Sequence, residues 1–397
     1  MRIPALIILA GLVAVACGVA PTDGLAVSRS ELNAAQKVIV IGQPGFGPAA
    51  LRDRIAAHGG VADLDLGIVN GVAATLPTPA ASARLAAEPG VLRIDEDVEV
   101  YAIGKPPAAQ PPQSTPWGIP TVGAPSVWPT ASGAGSKVAI LDTGIDLSHP
   151  DLQANVVGGV NFVSPAKSAN DDNGHGSHVA GTVAASDNTI GVVGVAPTAS
   201  LYAVKVLNRN GSGTLSGIIA GLDWAVQNSM NVVNMSLGTS SDVQSFHDAC
   251  DAARAAGVLL VAAAGNSGDG DPATVEAGYP GAYASVLSVA ALNQSGATAS
   301  WSSSGPTLDL AAPGVSVPST YKGGSYATLS GTSMASPHVA GVAALLFSAR
   351  PGISADCVAT SLLAGATDVG APGFDNATGY GLVNADTALG ATFACQP

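Results

Sequence analysis

Two hydrophobic patterns follow one another along the chain. From about residue 28 to 103 short apolar runs alternate with amphipathic stretches. KVIVIG (37–42) predicts a strand, GPAALRDRIAAHGG (47–60) a helix, VADLDL and VNGVAATL two strands, ASARLAAEPG a helix and VLRIDEDVEVYAI a last strand. Glycine follows both helical stretches, as it commonly does past a helix end. The order β-α-β-β-α-β predicts a small ferredoxin-like α+β domain. GKPPAAQPPQSTP comes next, rich in proline and without apolar periodicity. Residues 104–112 are therefore expected to be an extended, exposed linker, the kind of segment where chains are cut.

Beyond it, from 113 to 397, KVAILD, SLYAVKVL, VVNMSLG, VLLVAAAG, VLSVAAL and LDLAAPG are short, nearly continuous apolar runs. Between several of them lie helical patterns such as GHGSHVAGTVAA and TLSGIIAGLDWAVQNS. This alternation predicts an α/β domain with a mostly parallel sheet and helices on both faces. Sites in such sheets lie at the carboxyl ends of strands.

Composition narrows the picture. Only 11% of the 397 residues are charged and 47% are hydrophobic, with 49 glycines, which suits a compact globule rather than a disordered chain. Aromatics are 4%, so small aliphatic side chains must fill the core. The net charge of −13 argues against nucleic acid as the main partner. At the N-terminus Arg2 precedes an apolar stretch from Ile3 to Ala16, too short for a stable span and in keeping with an export signal over 1–16. Ala14-Val15-Ala16 offers a cleavage site. Cys17 follows and leaves open a lipid-anchored precursor, although such sites usually carry Leu, Val or Ile where Ala14 stands. No later run is long and apolar enough to span a membrane. Export permits a disulfide, and Cys357 with Cys395, flanking the last segment, is the expected pair. Cys250, in a helical pattern, reads as a buried filler.

The strand-end rule directs the search for chemistry. Asp142 closes the strand KVAILD and is followed by a glycine turn; alone it could be a turn former. His175 falls in the first turn of a helix opening at about Gly174, with His178 three residues on. Two such histidines could suggest zinc, but HExxH is absent and no cysteine is near. A cation in a helix's first turn is unfavourable, which suits a neutral histidine acting as base. His178 reads as structural. Ser333, in GTSMASPHVAG, stands at the start of an apolar helix, where a serine could equally be a cap. Thr332 and Ser336 read as structural hydroxyls. The chain order Asp142, His175, Ser333 is that of subtilisin, not of chymotrypsin or the α/β-hydrolases, and GxSxG is absent.

The segments DTGID, HGSHVAG and GTSMASPHVAG resemble the three signature blocks of the subtilisin-like serine proteases, and the similarity runs from about Gln113 to Leu389. The resemblance implies a three-layer αβα fold and a secreted endopeptidase working through an acyl-enzyme. Asp142, His175 and Ser333 would form its triad. Asn266, in VAAAGNSG, and the Ser333 backbone N–H would form the oxyanion hole. Peptide substrates would pair with Gly211-Ser212-Gly213 and Ser236-Leu237-Gly238. A primary pocket would lie between the latter, Ala263-Ala264-Gly265 and Gly278, favouring large apolar or aromatic residues. Glu276 is close enough to alter that preference, and its loop is one residue longer than the subtilisin pattern. A structural Ca²⁺ would take side-chain oxygens of Gln113, Asp151 and Asn188 and carbonyls of Ser186, Ile190 and Val192. Residues 28–103 resemble the family's inhibitory propeptide, which would act on its own protease within a monomer, blocking the cleft through the chain near Tyr101–Lys105. The competing readings are a catalytically silent binding protein on the same fold and an esterase.

Overall fold

A computed structural model describes residues 35–97 and 110–391. The expected signal segment, Cys17, Tyr101–Lys105 and Cys395 lie outside the described residues. The chain divides into two compact units between Pro107 and Ala108.

The first unit follows the sequence pattern closely. Its elements are β1 (Gln36–Gly42), α1 (Pro48–Ala57), β2 (Val61–Leu66), β3 (Gly71–Leu76), α2 (Pro79–Ala86) and β4 (Val91–Glu96). The antiparallel sheet has the order β2-β3-β1-β4, which is the ferredoxin-like arrangement. Alternate residues of β1 and β3, Val38, Val40, Val72, Ala74 and Leu76, bury against Leu51 and Ile55 of α1 and Leu85 of α2. Pro79 opens α2 and the Thr78 hydroxyl caps it, accepting the Ala81 N–H at 3.1 Å.

The second unit begins with two single turns, α3 (Gly118–Thr121) and α4 (Ala124–Val127). The alternating part follows as β5 (Lys137–Asp142), β6 (Val156–Asn161), α5 (His175–Ala184), β7 (Ser200–Lys205), α6 (Leu215–Gln227), β8 (Val232–Met235), α7 (Gln244–Ala255), β9 (Leu259–Ala263), β10 (Val286–Leu292) and β11 (Leu310–Pro313). A hairpin, β12 (Val317–Tyr321) and β13 (Ser325–Leu329), leads to α8 (Thr332–Ala349), α9 (Ala355–Ala364) and α10 (Ala385–Ala391). Seven strands form one parallel sheet in the order β11-β10-β9-β8-β5-β7-β6. Both faces are covered, so β8, β9 and β10 are buried at every residue and their sequences are apolar but for Asn234 and Ser288. Within β5, Val138 and Ile140 face the layer of α5 and α8, while Ala139 and Leu141 face that of α6 and α7. The sheet fans out in opposite directions from β5. The switch point of a parallel sheet is where a cleft opens, and the last residue of β5 there is Asp142.

Two expectations change, and the reading of Cys250 as a buried filler holds. The strand β6 and the hairpin β12–β13 were not legible as strands. The C-terminal end of the expected linker is not free chain. Pro112 bridges Ile190, the Pro111 carbonyl accepts the Gly191 N–H at 2.8 Å, and Gln110 donates to the Gly324 carbonyl at 3.2 Å. Cys250 is buried in α7 with a free thiol pushed up to about 12 by burial and by the charge of Asp251. Cys357 is disulfide-bonded.

Candidate active site

Asp142 is fully buried. Its two carboxylate oxygens lie 2.8 and 3.0 Å from His175 Nδ1. The approach depends on Gly176. A Cβ there would come within 2.1 Å of the Gly144 carbonyl and 3.1 Å of Asp142, so only glycine lets the first turn of α5 sit against the end of β5. Two shells of residues hold the pair. Thr143 gives its N–H to Asp142 at 2.7 Å and its hydroxyl to Asp171 at 2.9 Å. Asp171, 4% exposed, also accepts the N–H groups of Asn173, Gly174 and Ser177 and the Ser177 hydroxyl, and so caps α5 from outside the helix. Lys205 Nζ ties the Thr143 and Leu207 carbonyls to Asp172.

Burial lowers the basicity of His175, but the charge and hydrogen bond of Asp142 and the charge of Asp171 outweigh it and leave the imidazole pKa raised. The helix terminus alone would disfavour the cation, as the sequence suggested. Two buried carboxylates reverse that preference. His178 differs: it is buried, donates through Nε2 to the Val317 carbonyl at 2.9 Å, and is held down to about 4 by burial.

Ser333 is the second residue of α8, inside its first turn rather than before it. The N-cap residue, Gly331, has no side chain with which to cap that helix. Pro337 has no N–H to give to the Ser333 carbonyl four residues back. Ser236 Oγ supplies the missing donor at 2.8 Å, which fixes the Ser333 backbone to the end of β8. The Ser333 hydroxyl donates to the Ser236 carbonyl at 3.3 Å. Asn266 follows β9. Its Oδ1 accepts both the N–H and the hydroxyl of Thr332, at 2.9 and 3.0 Å, so its Nδ2 is turned away from Thr332. A Cβ placed on Gly331 would lie 3.7 Å from Asn266 Nδ2 and 3.6 Å from the Ser333 N–H nitrogen. Both donors therefore border the same space, and glycine keeps it open.

Two adjoining cavities share Leu237, Gly238 and Thr239 as their common wall. One, of about 670 Å³, is lined by His175, Gly211, Ser212, Gly213, Ser236 and an apolar floor of Leu215, Ile218, Val243 and Phe246. The other, of about 600 Å³, is lined by Ala263, Ala264, Gly265, Asn266, Glu276, Gly278 and Ser333. Every residue expected to touch substrate thus falls on one or the other.

Residues 133–381 match the family model for the subtilase family. Subtilisin DY of Bacillus licheniformis is 51% identical over 70% of this chain and 99% of its own. The chain belongs to the subtilase family. Subtilisin Savinase of Lederbergia lenta is 50% identical over 70% of this chain and 99% of its own. A thermostable alkaline protease of Halalkalibacterium halodurans is 46% identical over 75% and 79%. This subtilase is a serine endopeptidase.

The six residues expected around a cation also converge in the subtilase unit. Asp151, fully buried, accepts Asn188 Nδ2 at 2.7 Å and the Val192 N–H at 2.9 Å. Gln113 Oε1 accepts the Asn188 N–H at 2.6 Å, and the Ser186 N–H reaches the Asp151 carbonyl at 3.0 Å. The Thr189 and Gly191 carbonyls serve the N–H groups of Gln113 and Ser114 and are not free for an ion. Among the described residues Asp151 has no ion-pair partner, and burial raises its pKa against the hydrogen bonds of Val192 and Asn188. Gln113, Asp151 and Asn188 offer the hard oxygens a divalent ion takes, but here Asn188 turns Nδ2 to Asp151, its Oδ1 accepts the Ile190 N–H at 2.7 Å, and both Asp151 oxygens accept N–H groups, so these donors would have to turn for an ion to be held.

Sequence reasoning missed Thr143, Asp171 and Lys205. Asp171 carried a usable signal, standing four residues before His175, but the roles of the other two need the fold. It also missed the apolar floor, whose residues come from α6, α7 and the segment before α7.

Proposed function

We propose that this protein is made as a secreted zymogen and hydrolyses protein substrates with Ser333 as nucleophile, His175 as general base and acid, and Asp142 as its orienter. The observation that carries this is the 2.8 Å contact between Asp142 and His175 Nδ1 at the sheet's switch point. It fixes the tautomer in which Nε2 is the bare nitrogen. Rotation of the Ser333 hydroxyl from the Ser236 carbonyl toward Nε2 readies the attack. The oxyanion then forms in the space bordered by Asn266 Nδ2 and the Ser333 N–H, where the N-terminus of α8 adds to the field. His175 returns the proton to the leaving amine, and water repeats the sequence on the acyl-enzyme.

An extended peptide would lie along Gly211–Gly213 and Ser236–Gly238 by strand addition. The residue before the cut would enter the cavity floored near Gly278, where a large apolar side chain fits. Ca²⁺ held by Gln113, Asp151, Asn188 and the Ser186, Ile190 and Val192 carbonyls would supply stability rather than chemistry. Residues 28–103 would keep the cleft closed until a cut in the linker frees a monomeric protease. Neither alternative is favoured: all groups needed for acyl transfer are present, and the peptide-pairing segments have no use in an esterase. Casein hydrolysis by purified protein should vanish in Ser333→Ala while the fold persists. Undiminished hydrolysis by that variant would exclude this mechanism.

A further inference from the structure

We propose that Glu276 is a specificity-determining residue that lets this protease cleave after lysine, and less readily after arginine, besides large apolar residues. The proposal rests on reading the 600 Å³ cavity as the pocket for the residue before the cut. Of the side chains lining that cavity, Glu276 alone is ionisable; the rest are Gly, Ala, Ser, Thr, Leu, Val and Asn. Among the described residues no basic side chain pairs with it. The pocket therefore carries an uncompensated negative charge, and the Asp269 carboxyl against Glu276 adds a second just outside the lining.

The carboxylate is held in place. Its Oε1 accepts the Asp269 N–H at 3.0 Å and its Oε2 the Ser304 N–H at 3.0 Å, with the Ser304 hydroxyl oxygen, 2.8 Å from the Thr274 carbonyl, packed 3.1 Å from Oε2. The Glu276 N–H returns to the Ser304 carbonyl at 2.9 Å, so backbone and side chain are both fixed to one residue. Ser303, next to it, lines the pocket. Each carboxylate oxygen has two lone pairs. At Oε2 the Ser304 N–H takes one direction and the Ser304 hydroxyl oxygen crowds the other, while one direction of Oε1 remains. One open acceptor direction suits the compact ammonium of lysine better than the two-pronged guanidinium of arginine. A lysine stem would lie along Leu237, Ala263, Ala264 and Ala277 while its head reached Oε1, which is how long basic side chains divide their surface between apolar and polar ground. An acidic residue in the same pocket would meet repulsion with no gain.

The test uses protease matured from the full chain and tetrapeptide substrates that differ only in the residue before the cut: Phe, Leu, Lys, Arg or Glu. In the native enzyme kcat/KM after Lys should exceed that after Arg, and cleavage after Glu should be the poorest. Glu276→Gln keeps the shape and one acceptor oxygen while removing the charge. It should lower the Lys-to-Phe ratio about tenfold or more and raise the Glu-to-Phe ratio. Added salt should lower the Lys-to-Phe ratio of the native enzyme but not of the variant. An unchanged ratio, or an equal loss on Lys and Phe, overturns the role given to Glu276. Poor cleavage after both Phe and Leu by the native enzyme would instead overturn the reading of the pocket.

Discussion

Asn266 illustrates how much of a side chain's role comes from what holds it. A free amide could offer either end to the cleft, but Thr332 claims Oδ1 twice and leaves Nδ2 facing the space beside Ser333. Asn266→Leu keeps the bulk and removes the donor. In subtilisin itself loss of this donor lowers kcat by about 10²–10³-fold, and the same loss is expected here, with KM little changed because the charge develops only in the transition state. A fall in kcat below about tenfold would show that the Ser333 N–H carries the oxyanion without help. At this scale the sequence was unusually readable. Asp142, His175, Ser333 and Asn266 each sit at an element's end, where apolar periodicity stops. What it could not convey is the cross-chain pinning: Thr332 lies 66 residues from Asn266, and Ser236 lies 97 from Ser333.

The elements that carry these residues also hold two buried histidines with a different consequence. His178 of α5 and His338 of α8 are each fully buried, and each donates through one ring nitrogen to a carbonyl, Val317 at 2.9 Å and Met334 at 2.8 Å. Among the described residues the other nitrogen of His338 has no hydrogen-bond partner, in keeping with a neutral imidazole. Burial holds both pKa values down to about 4. Between the ordinary histidine value near 6.5 and about 4 the unfolded chain binds protons that the folded chain refuses. Stability present above that window is lost as pH falls through it. The pair should remove on the order of a few kcal/mol; buried Asp309, raised to about 6, takes up its proton in the folded chain within the same window and offsets part of that loss, whereas His175, raised from 6.5, acts mostly above it. Urea unfolding of the Ser333→Ala protein, which cannot digest itself, should show midpoints falling from pH 6.5 to 4 and a shallower fall with His338→Gln. A midpoint flat across that range would remove these histidines from the account. The helices themselves were visible in sequence. The strand β6 was not, because VVGGVN spends two of its six positions on glycine, and β12 and β13 pair with each other outside the main sheet, without its long apolar runs.

For the molecule as a whole the question is how a protease is kept from acting too early and stable afterwards. The residues proposed to hold Ca²⁺ join three distant parts of one unit: the chain entering at Gln113, the turn at Asp151 and the loop from Ser186 to Val192. A chelator should lower the unfolding temperature of the Ser333→Ala protein and added Ca²⁺ should restore it, whereas an equal response from Asp151→Asn would refute the assignment. That anchorage also bears on maturation. Reading the linker from proline content alone put the exposed stretch at 104–112. Yet Gln110, Pro111 and Pro112 are already bonded to Gly324, Gly191 and Ile190, contacts that composition cannot disclose because their partners lie far along the chain. A cut at 112 would have to peel these residues off, whereas one before 110 would leave them as the fixed first segment of the freed enzyme. N-terminal sequencing of the active product should therefore find a start between residues 104 and 110, with residues 28–103 recovered separately. An active sample whose chain still begins near residue 17 would mean that the first unit is no barrier to catalysis, and the zymogen reading would fall.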